Sequence, residues 1–291
     1  MGISLEATSM QMLNVGYVRH NGDWNWKGVC SPFTRIYYVT EGEAVVRMKK
    51  KSVTLTPDHL YIIPANVEHS YECSGLFCHY YLHMFEAHNS GSNFIDFFEF
   101  PSEVEAFPLD RELFAEMCER HPEAQLPASD PKLYDNKTTF SSYVQRCAQM
   151  PLYEKVMIEG FIGVLFSRFL QQATERPWAN DNRVTKVLKY INQNLFEDID
   201  IDALAGVACV TKPYLIRLFK RNFGTSPLQY INRKKIEKGQ LLLITEDITV
   251  KEVAYQLGYN DHSYFNRLFK KLIGQTPQEY RMMMRQSKKT K

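Results

Sequence analysis

The sequence predicts an α+β protein of two domains: an N-terminal β-barrel with a helical segment behind it, then an all-α domain containing two helix-turn-helix motifs. Three observations predict this. Residues 10–100 hold short β-branched and aromatic runs separated by turn signals, residues 182–286 are helical in pattern and repeat internally, and charge is split between the two halves. A chain of 291 residues with 44% hydrophobic and 13% aromatic content has the material for two cores and is not a disordered composition.

In the first part, Arg35-Ile-Tyr-Tyr-Val-Thr40 reads as a strand that ends at a Glu41-Gly42-Glu43 turn. Ala44-Val-Val-Arg-Met48 and Ser52-Val-Thr-Leu-Thr56 follow across a lysine-rich turn. Pro57-Asp58 turns the chain into Leu60-Tyr-Ile-Ile63, and Leu76-Phe-Cys-His-Tyr-Tyr-Leu-His83 is a further strand. Short strands at this spacing predict a small barrel or sandwich. Residues 101–176 change period. Glu112–Cys118 and Tyr153–Ala173 carry apolar residues three and four apart, which predicts helices, and the polar stretch Pro122–Lys137 between them predicts a loop. Arg176-Pro-Trp-Ala-Asn-Asp181 reads as the linker.

Residues 181–291 hold 20 Lys+Arg against 11 Asp+Glu, a balance of +9, and the first 180 residues hold 15 against 22, a balance of −7. A basic module beside an acidic one predicts a polyanion partner for the module alone. The same region repeats. Arg217-Leu-Phe-Lys-Arg-Asn-Phe-Gly-Thr-Ser-Pro-Leu-Gln-Tyr230 and Arg267-Leu-Phe-Lys-Lys-Leu-Ile-Gly-Gln-Thr-Pro-Gln-Glu-Tyr280 are identical at seven of 14 positions at an offset of 50, and Tyr214 pairs with Tyr264.

Each copy predicts a helix, a tight turn and a second helix. In the first copy these are Ile201–Val207, the turn Ala208-Cys209-Val210, and a helix capped by Thr211, with Pro213 in its first turn and Gly224 as its left-handed stop. In the second they are Val250–Leu257, Gly258-Tyr259-Asn260, and a helix from the cap Asp261 to Gly274. Leu215, Leu218, Phe219 and Phe223 form an apolar stripe, as do Phe265, Leu268, Phe269 and Leu272. Arg217 and Arg267 fall outside the stripes at matching places, where guanidinium suits guanine edges or phosphate.

These residues resemble a known family. Ala203-Leu-Ala205, the glycine-then-proline endings, Gly258-Tyr259, Tyr264-Phe265 and Phe269-Lys270 look like the C-terminal domain of AraC-type transcriptional regulators. The resemblance implies two helix-turn-helix units joined by a long helix, here Leu228–Leu243, with both second helices entering successive major-groove segments of double-stranded DNA. It implies base-facing roles for Lys212, Pro213, Ile216 and Arg217 in the first unit and for His262, Ser263, Asn266 and Arg267 in the second. Pro213 and Ile216 lack side-chain donors, so the first helix is expected to read methyl groups and shape.

The same resemblance implies a cupin-like effector barrel in front. Ile63-Pro-Ala-Asn-Val-Glu-His69 is similar to a cupin turn and its histidine. Trp24, Trp26, Tyr37, Tyr61, His69, Tyr71 and Tyr81 supply aromatic faces and polar tips of the kind that hold sugars or aromatic acids. The expected division is 10–100 as sensor barrel, 101–176 as helical dimerisation segment, and 182–286 as DNA-binding domain. Expected partners are DNA, a small-molecule effector, a second copy of the chain and RNA polymerase.

A metal-dependent cupin enzyme fused to a DNA module stands as the alternative. His79, Tyr81 and His83 share one strand face, but the His-x-His pair of metal cupins is absent after Gly42, so no metal and no cofactor are expected. Phosphate loops, GxSxG and HExxH are absent too, so no catalytic residue is assigned. The six cysteines are scattered and read as reduced thiols. A secretory signal and any run near the ~20 apolar residues of a membrane helix are missing, which predicts a cytoplasmic protein without membrane contact.

Overall fold

The computed structural model describes residues 10–49, 51–86, 97–134, 143 and 145–285. Parts of the sequence reading at Lys50, 87–96, 135–137 and Gln286 lie outside the described residues. The chain divides into two units, one from residues 10–86 and 100–173, the other from 97–99 and 174–285.

The first unit is built on strand alternation. A five-stranded sheet has the order β1 (Met10–Asn21), β8 (Leu76–Glu86), β3 (Thr34–Gly42), β6 (His59–Ile63), β10 (Glu103–Glu105). A four-stranded sheet has the order β2 (Trp26–Val29), β7 (His69–Glu72), β4 (Ala44–Met48), β5 (Lys51–Leu55). Strand β8 sits between β1 and β3 and is buried on both faces. Its register sets Tyr81 opposite Gly16 and Tyr37, and His79 opposite Val18 and Val39, all on one face. On the other face Tyr80 and Tyr38 meet Phe114 of helix α1 (Pro108–Arg120). Burial on both sides explains why β8 reads as a nearly continuous apolar and aromatic run. Gly16 is required by space: a Cβ there would lie 2.6 Å from the Tyr81 ring.

Helix α2 (Leu152–Gln171) packs on β1 and α1 through Ile158, Ile162, Leu165, Phe166 and Phe169. Arg168 of α2 reaches the wholly buried Asp110 at 3.0 Å, and Asp110 accepts from the Phe107 N–H at the start of α1. One carboxylate thus caps α1 and ties α2 to it.

The second unit opens with the short pair β9 (Phe98–Glu99) and β11 (Thr174–Glu175). The stretch read as a linker is partly core: Trp178 and Ala179 are 5% and 4% exposed, and Trp178 packs on Phe97 and Phe223. The helices are α3 (Asn182–Gln193), α4 (Ile201–Val207), α5 (Lys212–Phe223), α6 (Pro227–Thr245), α7 (Val250–Gln256), α8 (His262–Ile273) and α9 (Pro277–Arg285). Asp181, Asp200, Ser226, Thr249 and Asp261 cap their helices with side-chain hydrogen bonds. Thr211 occupies the cap position of α5 without such a bond. Gly224 and Gly274 end α5 and α8 in the left-handed region, as expected from their place in the repeat. The apolar stripes of α5 and α8 face inward, except that Leu272 is 45% exposed.

The barrel's histidines couple its stability to pH. His20, His69, His79 and His83 are 1–2% exposed. Burial holds each imidazole below its ordinary value, His69 to about 4 with help from the charge of Arg35, and His79 and His83 well below it. An unfolded chain takes up a proton at each ring near pH ~6.5, whereas the folded barrel does so only at lower pH. Stability is therefore full above that value and falls as pH drops, by up to about 1.4 kcal/mol per pH unit for each ring. Urea midpoints measured between about pH 7 and pH 5 by barrel tryptophan fluorescence should fall accordingly. A flat profile would mean the rings protonate inside the folded barrel.

Candidate effector pocket and DNA interface

The barrel encloses a cavity of about 120 Å³ between β1, β3, β8 and the segment 125–134. Trp24, Tyr37 and Tyr81, three of the seven residues expected at an effector site, line it. His20, His79, His83, Tyr17, Val18 and Tyr134 line it as well. His69 and Tyr71 sit behind Tyr37. Trp26 and Tyr61 are elsewhere, Tyr61 being bound to Thr56 and Glu103. The period-two pattern of β8 signalled His79 and His83. Nothing local signals His20 or the segment 125–134, which tertiary folding brings over the mouth.

Hydrogen-bond directions inside the pocket are set by groups that can only accept. The Asp23 carboxylate, 3.1 Å from His20 Nδ1, takes that proton, so His20 Nε2 is left as a buried acceptor with no partner among the described residues. The Val67 carbonyl, 2.8 Å from His69 Nδ1, fixes the second ring in the same way. His69 Nε2 then accepts from Tyr71 at 2.7 Å, and Tyr71 accepts from Tyr37 at 2.7 Å. Tyr37 has spent its proton on Tyr71, so its oxygen can only accept from any further partner. Tyr81 Oη accepts from the Leu126 N–H at 2.7 Å and keeps its own proton to donate. His79 Nδ1 and His83 Nδ1 are buried without partners among the described residues. Among the described residues the lining contains no Asp, Glu, Lys or Arg, and no group of three or more His, Cys, Asp or Glu is arranged to hold a metal ion.

In the helical unit, α5 and α8 each bury one face and expose the other. Lys212, Pro213 and Arg217 of α5 are exposed and Ile216 is half-buried. His262, Ser263 and Arg267 of α8 are exposed and Asn266 is half-buried. Six of the eight residues expected to face bases are therefore exposed, and Ile216 and Asn266 sit at the edge of the core. Lys212 pairs with Asp202 at 3.0 Å and Arg267 approaches Asp261 at 3.9 Å, both on open surface where such pairs contribute little and exchange readily for phosphate. Arg183, held by Asp181 at 2.7 Å, donates to Tyr214 Oη at 2.9 Å and adds a cation beside α5.

A domain with two repeated helices presenting cations at matching places, joined to a barrel with a lined cavity, defines a ligand-binding transcription regulator. The comparisons agree. A family model described as an AraC-like ligand binding domain matches residues 17–126, and a helix-turn-helix domain model matches 204–283. The arabinose operon regulatory protein of Escherichia coli strain K12 is 34% identical over 102 residues, a match spanning about a third (35%) of either protein. The probable transcriptional regulator LumQ of Photobacterium leiognathi is 25% identical over 244 residues, 84% of this chain and 87% of LumQ. The structure of ToxT from Vibrio cholerae strain SCE256, with an unsaturated fatty acid bound, has the same fold, with a TM-score of 0.50 at 15% identity over 94% of this chain and 95% of ToxT. The chain belongs to the AraC family of DNA-binding transcriptional regulators. No helix among the described residues is long and apolar enough to cross a membrane.

Arg267→Ala should weaken binding to a selected duplex by roughly 1–3 kcal/mol and relax preference at one base pair. Titration against selected and random duplexes separates the cases. Equal loss on both would make Arg267 a phosphate contact, and no loss on either would remove it from the interface.

Proposed function

We propose that this regulator is gated by a small uncharged molecule rich in hydroxyl groups, of the chemistry of a sugar or polyol, bound in the barrel. The observation that carries the reading is His20 Nε2, a buried acceptor without a partner among the described residues, near Tyr37 Oη, which can only accept, in a lining without charged side chains among the described residues. A buried acceptor left unpaired costs roughly 1–3 kcal/mol, so a ligand that donates to His20 Nε2 is favoured over one that cannot. The neighbouring imidazoles are neutral at pH 7 and offer further donors and acceptors. The cavity, about 120 Å³, has room for more than a single water and suits a compact ligand. ToxT was crystallised with a fatty acid, whereas no cationic side chain lines this cavity among the described residues.

Within this reading Trp24, Tyr37, Tyr81, His20, His79 and His83 contact the effector, and His69 and Tyr71 hold the Tyr37 proton away from it. Lys212, Pro213, Ile216, Arg217, His262, Ser263, Asn266 and Arg267 contact DNA. The protein acts as a two-fold homodimer through α2, whose first turns leave Leu152, Tyr153 and Val156 77%, 69% and 60% exposed. Effector binding shifts the dimer between arrangements that it stabilises unequally, and RNA polymerase reads the outcome on DNA.

A thermal-shift screen of the full chain against sugars, polyols and carboxylates of matched size tests the gating. A compound present at about 100 times its Kd stabilises the folded state by about 2.7 kcal/mol, and hydroxyl compounds should be the ones that do so. Tyr37→Phe should weaken them by about 1 kcal/mol. Stabilisation by carboxylates alone would overturn the ligand class. The same samples, weighed in solution at tens of micromolar, should be dimeric, and a folded monomer would remove the dimer.

A further inference from the structure

The two helix-turn-helix units repeat with one exception. Their second helices start 50 residues apart, at Lys212 and His262, but their first helices start 49 apart, at Ile201 and Val250. Residues 208–211 join α4 to α5, while 257–261 join α7 to α8, so the second turn is longer by one. The turns superpose in their first steps. Cys209 and Gly258 are both left-handed, with φ of 53° and 70°. The next residue in each donates five residues back, Val210 to Ala205 and Tyr259 to Ala254. The extra residue is Asn260.

Asn260 does not merely lengthen the turn. Its Nδ2 donates at 3.3 Å to Asp198 Oδ2, in the loop between α3 and α4 that leads into the first unit. Gly258 lies against the same loop, where a Cβ would come within 2.8 Å of the Glu197 backbone carbon. Lys235 of α6, 4% exposed, donates from Nζ to the Glu197 carbonyl at 2.8 Å and sits 5.0 Å over the Tyr259 ring. From Tyr259 the contacts reach the second recognition helix: its hydroxyl donates to Asn232 Oδ1, and Asn232 Nδ2 donates to Tyr264 Oη, each at 3.3 Å.

We propose that Lys235, Gly258 and Asn260 are positioning residues that lock the second helix-turn-helix unit to the first and so set the base-pair spacing the protein accepts between its two DNA elements. This rests on the reading that both α5 and α8 contact DNA. Helix α6 alone joins the units along one axis. The contacts on residues 196–198 add a second attachment away from that axis, and two attachments resist rotation as well as separation. Two rigidly phased reading helices add their binding energies only where the DNA elements share that phase. One inserted base pair moves an element by about 3.4 Å along the duplex and also turns it around the axis, which a rigid pair cannot follow. A looser pair tolerates the shift and binds the matched site less tightly.

The test uses a duplex selected by the full-length protein from a random-sequence pool, and copies of it with one base pair inserted or removed between the two elements. Wild type should bind the altered copies on the order of tenfold more weakly than the matched one. Asn260→Ala, at an exposed position, and Lys235→Met, which keeps the buried stem, should each shrink that ratio to about threefold or less while lowering affinity for the matched duplex. Circular dichroism confirms folding, and if Lys235→Met fails to fold, Asn260→Ala and Asp198→Ala decide. Folded variants that keep the wild-type ratio, with any loss uniform across the three duplexes, would overturn the proposal and leave these contacts as stability alone. A wild type indifferent to spacing would overturn it as well.

Discussion

Neither helix-turn-helix unit can bury its apolar stripe alone, and α6 is the surface that both use. It is buried along its length, from Tyr230 and Ile231 at one end to Leu241 through Ile244 at the other. The first unit's Phe219 packs on Tyr230, and Gly239 lets the second unit come close, with Leu257 and Phe265 against the place a Cβ would occupy. Because the stripes of α5 and α8 must face α6 and its neighbours, their opposite faces must face solvent. The arginines and the helix N-termini lie there, so the cations that suit DNA are exposed as a consequence of core packing.

A comparable constraint shapes the barrel. Strand β8 is covered by helices on one face, so its other face has to line the interior. The residues there are Phe77, His79, Tyr81 and His83, half of them imidazoles. Burying four neutral histidines sacrifices stability at low pH, and a barrel interior built for packing alone has no use for them. The proton positions imposed by Asp23 and Val67 make the cluster's polarity directional: His20 Nε2 is an acceptor, Tyr37 Oη can only accept, and Tyr81 keeps a proton to donate. That directionality is a property of the whole cluster, since Tyr37 becomes an acceptor only because His69, on another strand, cannot donate to Tyr71.

Much of this was legible in the sequence. The strands from Arg35 to His83, the capped helices, the glycine stops at 224 and 274, and the inward stripes follow from local chemistry with periods of two and 3.6 residues. The repeat exposed the two DNA-facing helices because identical core and cap residues recur at one offset. Local chemistry is ambiguous at a few places where tertiary contacts decide. Trp178 lies among polar residues and a proline, so its stretch resembles a linker, yet Phe97 and Phe223 enclose its ring. Trp26 and Tyr61 have the side chains of a ligand site and share the inward face, opposite Tyr71 and Tyr37 in register, but they pack in the core beyond the cavity's lining. Residues 125–134 carry no pattern of their own, and they line the pocket only because the chain returns over the barrel after α1.

The sequence by itself determined the class of protein and the faces of its helices, because periodicity, caps and a repeated stripe act over spans of one or two turns. Tertiary structure alone decided which aromatic and imidazole groups share a cavity, and in which direction each hydrogen bond runs, because those depend on partners brought together from β1, β3, β7 and β8. It also decided what the single extra residue Asn260 does. In the sequence it is a one-residue slip in a repeat. In the fold its amide meets Asp198, 62 positions away, because α6 returns the second unit to the loop that opens the first.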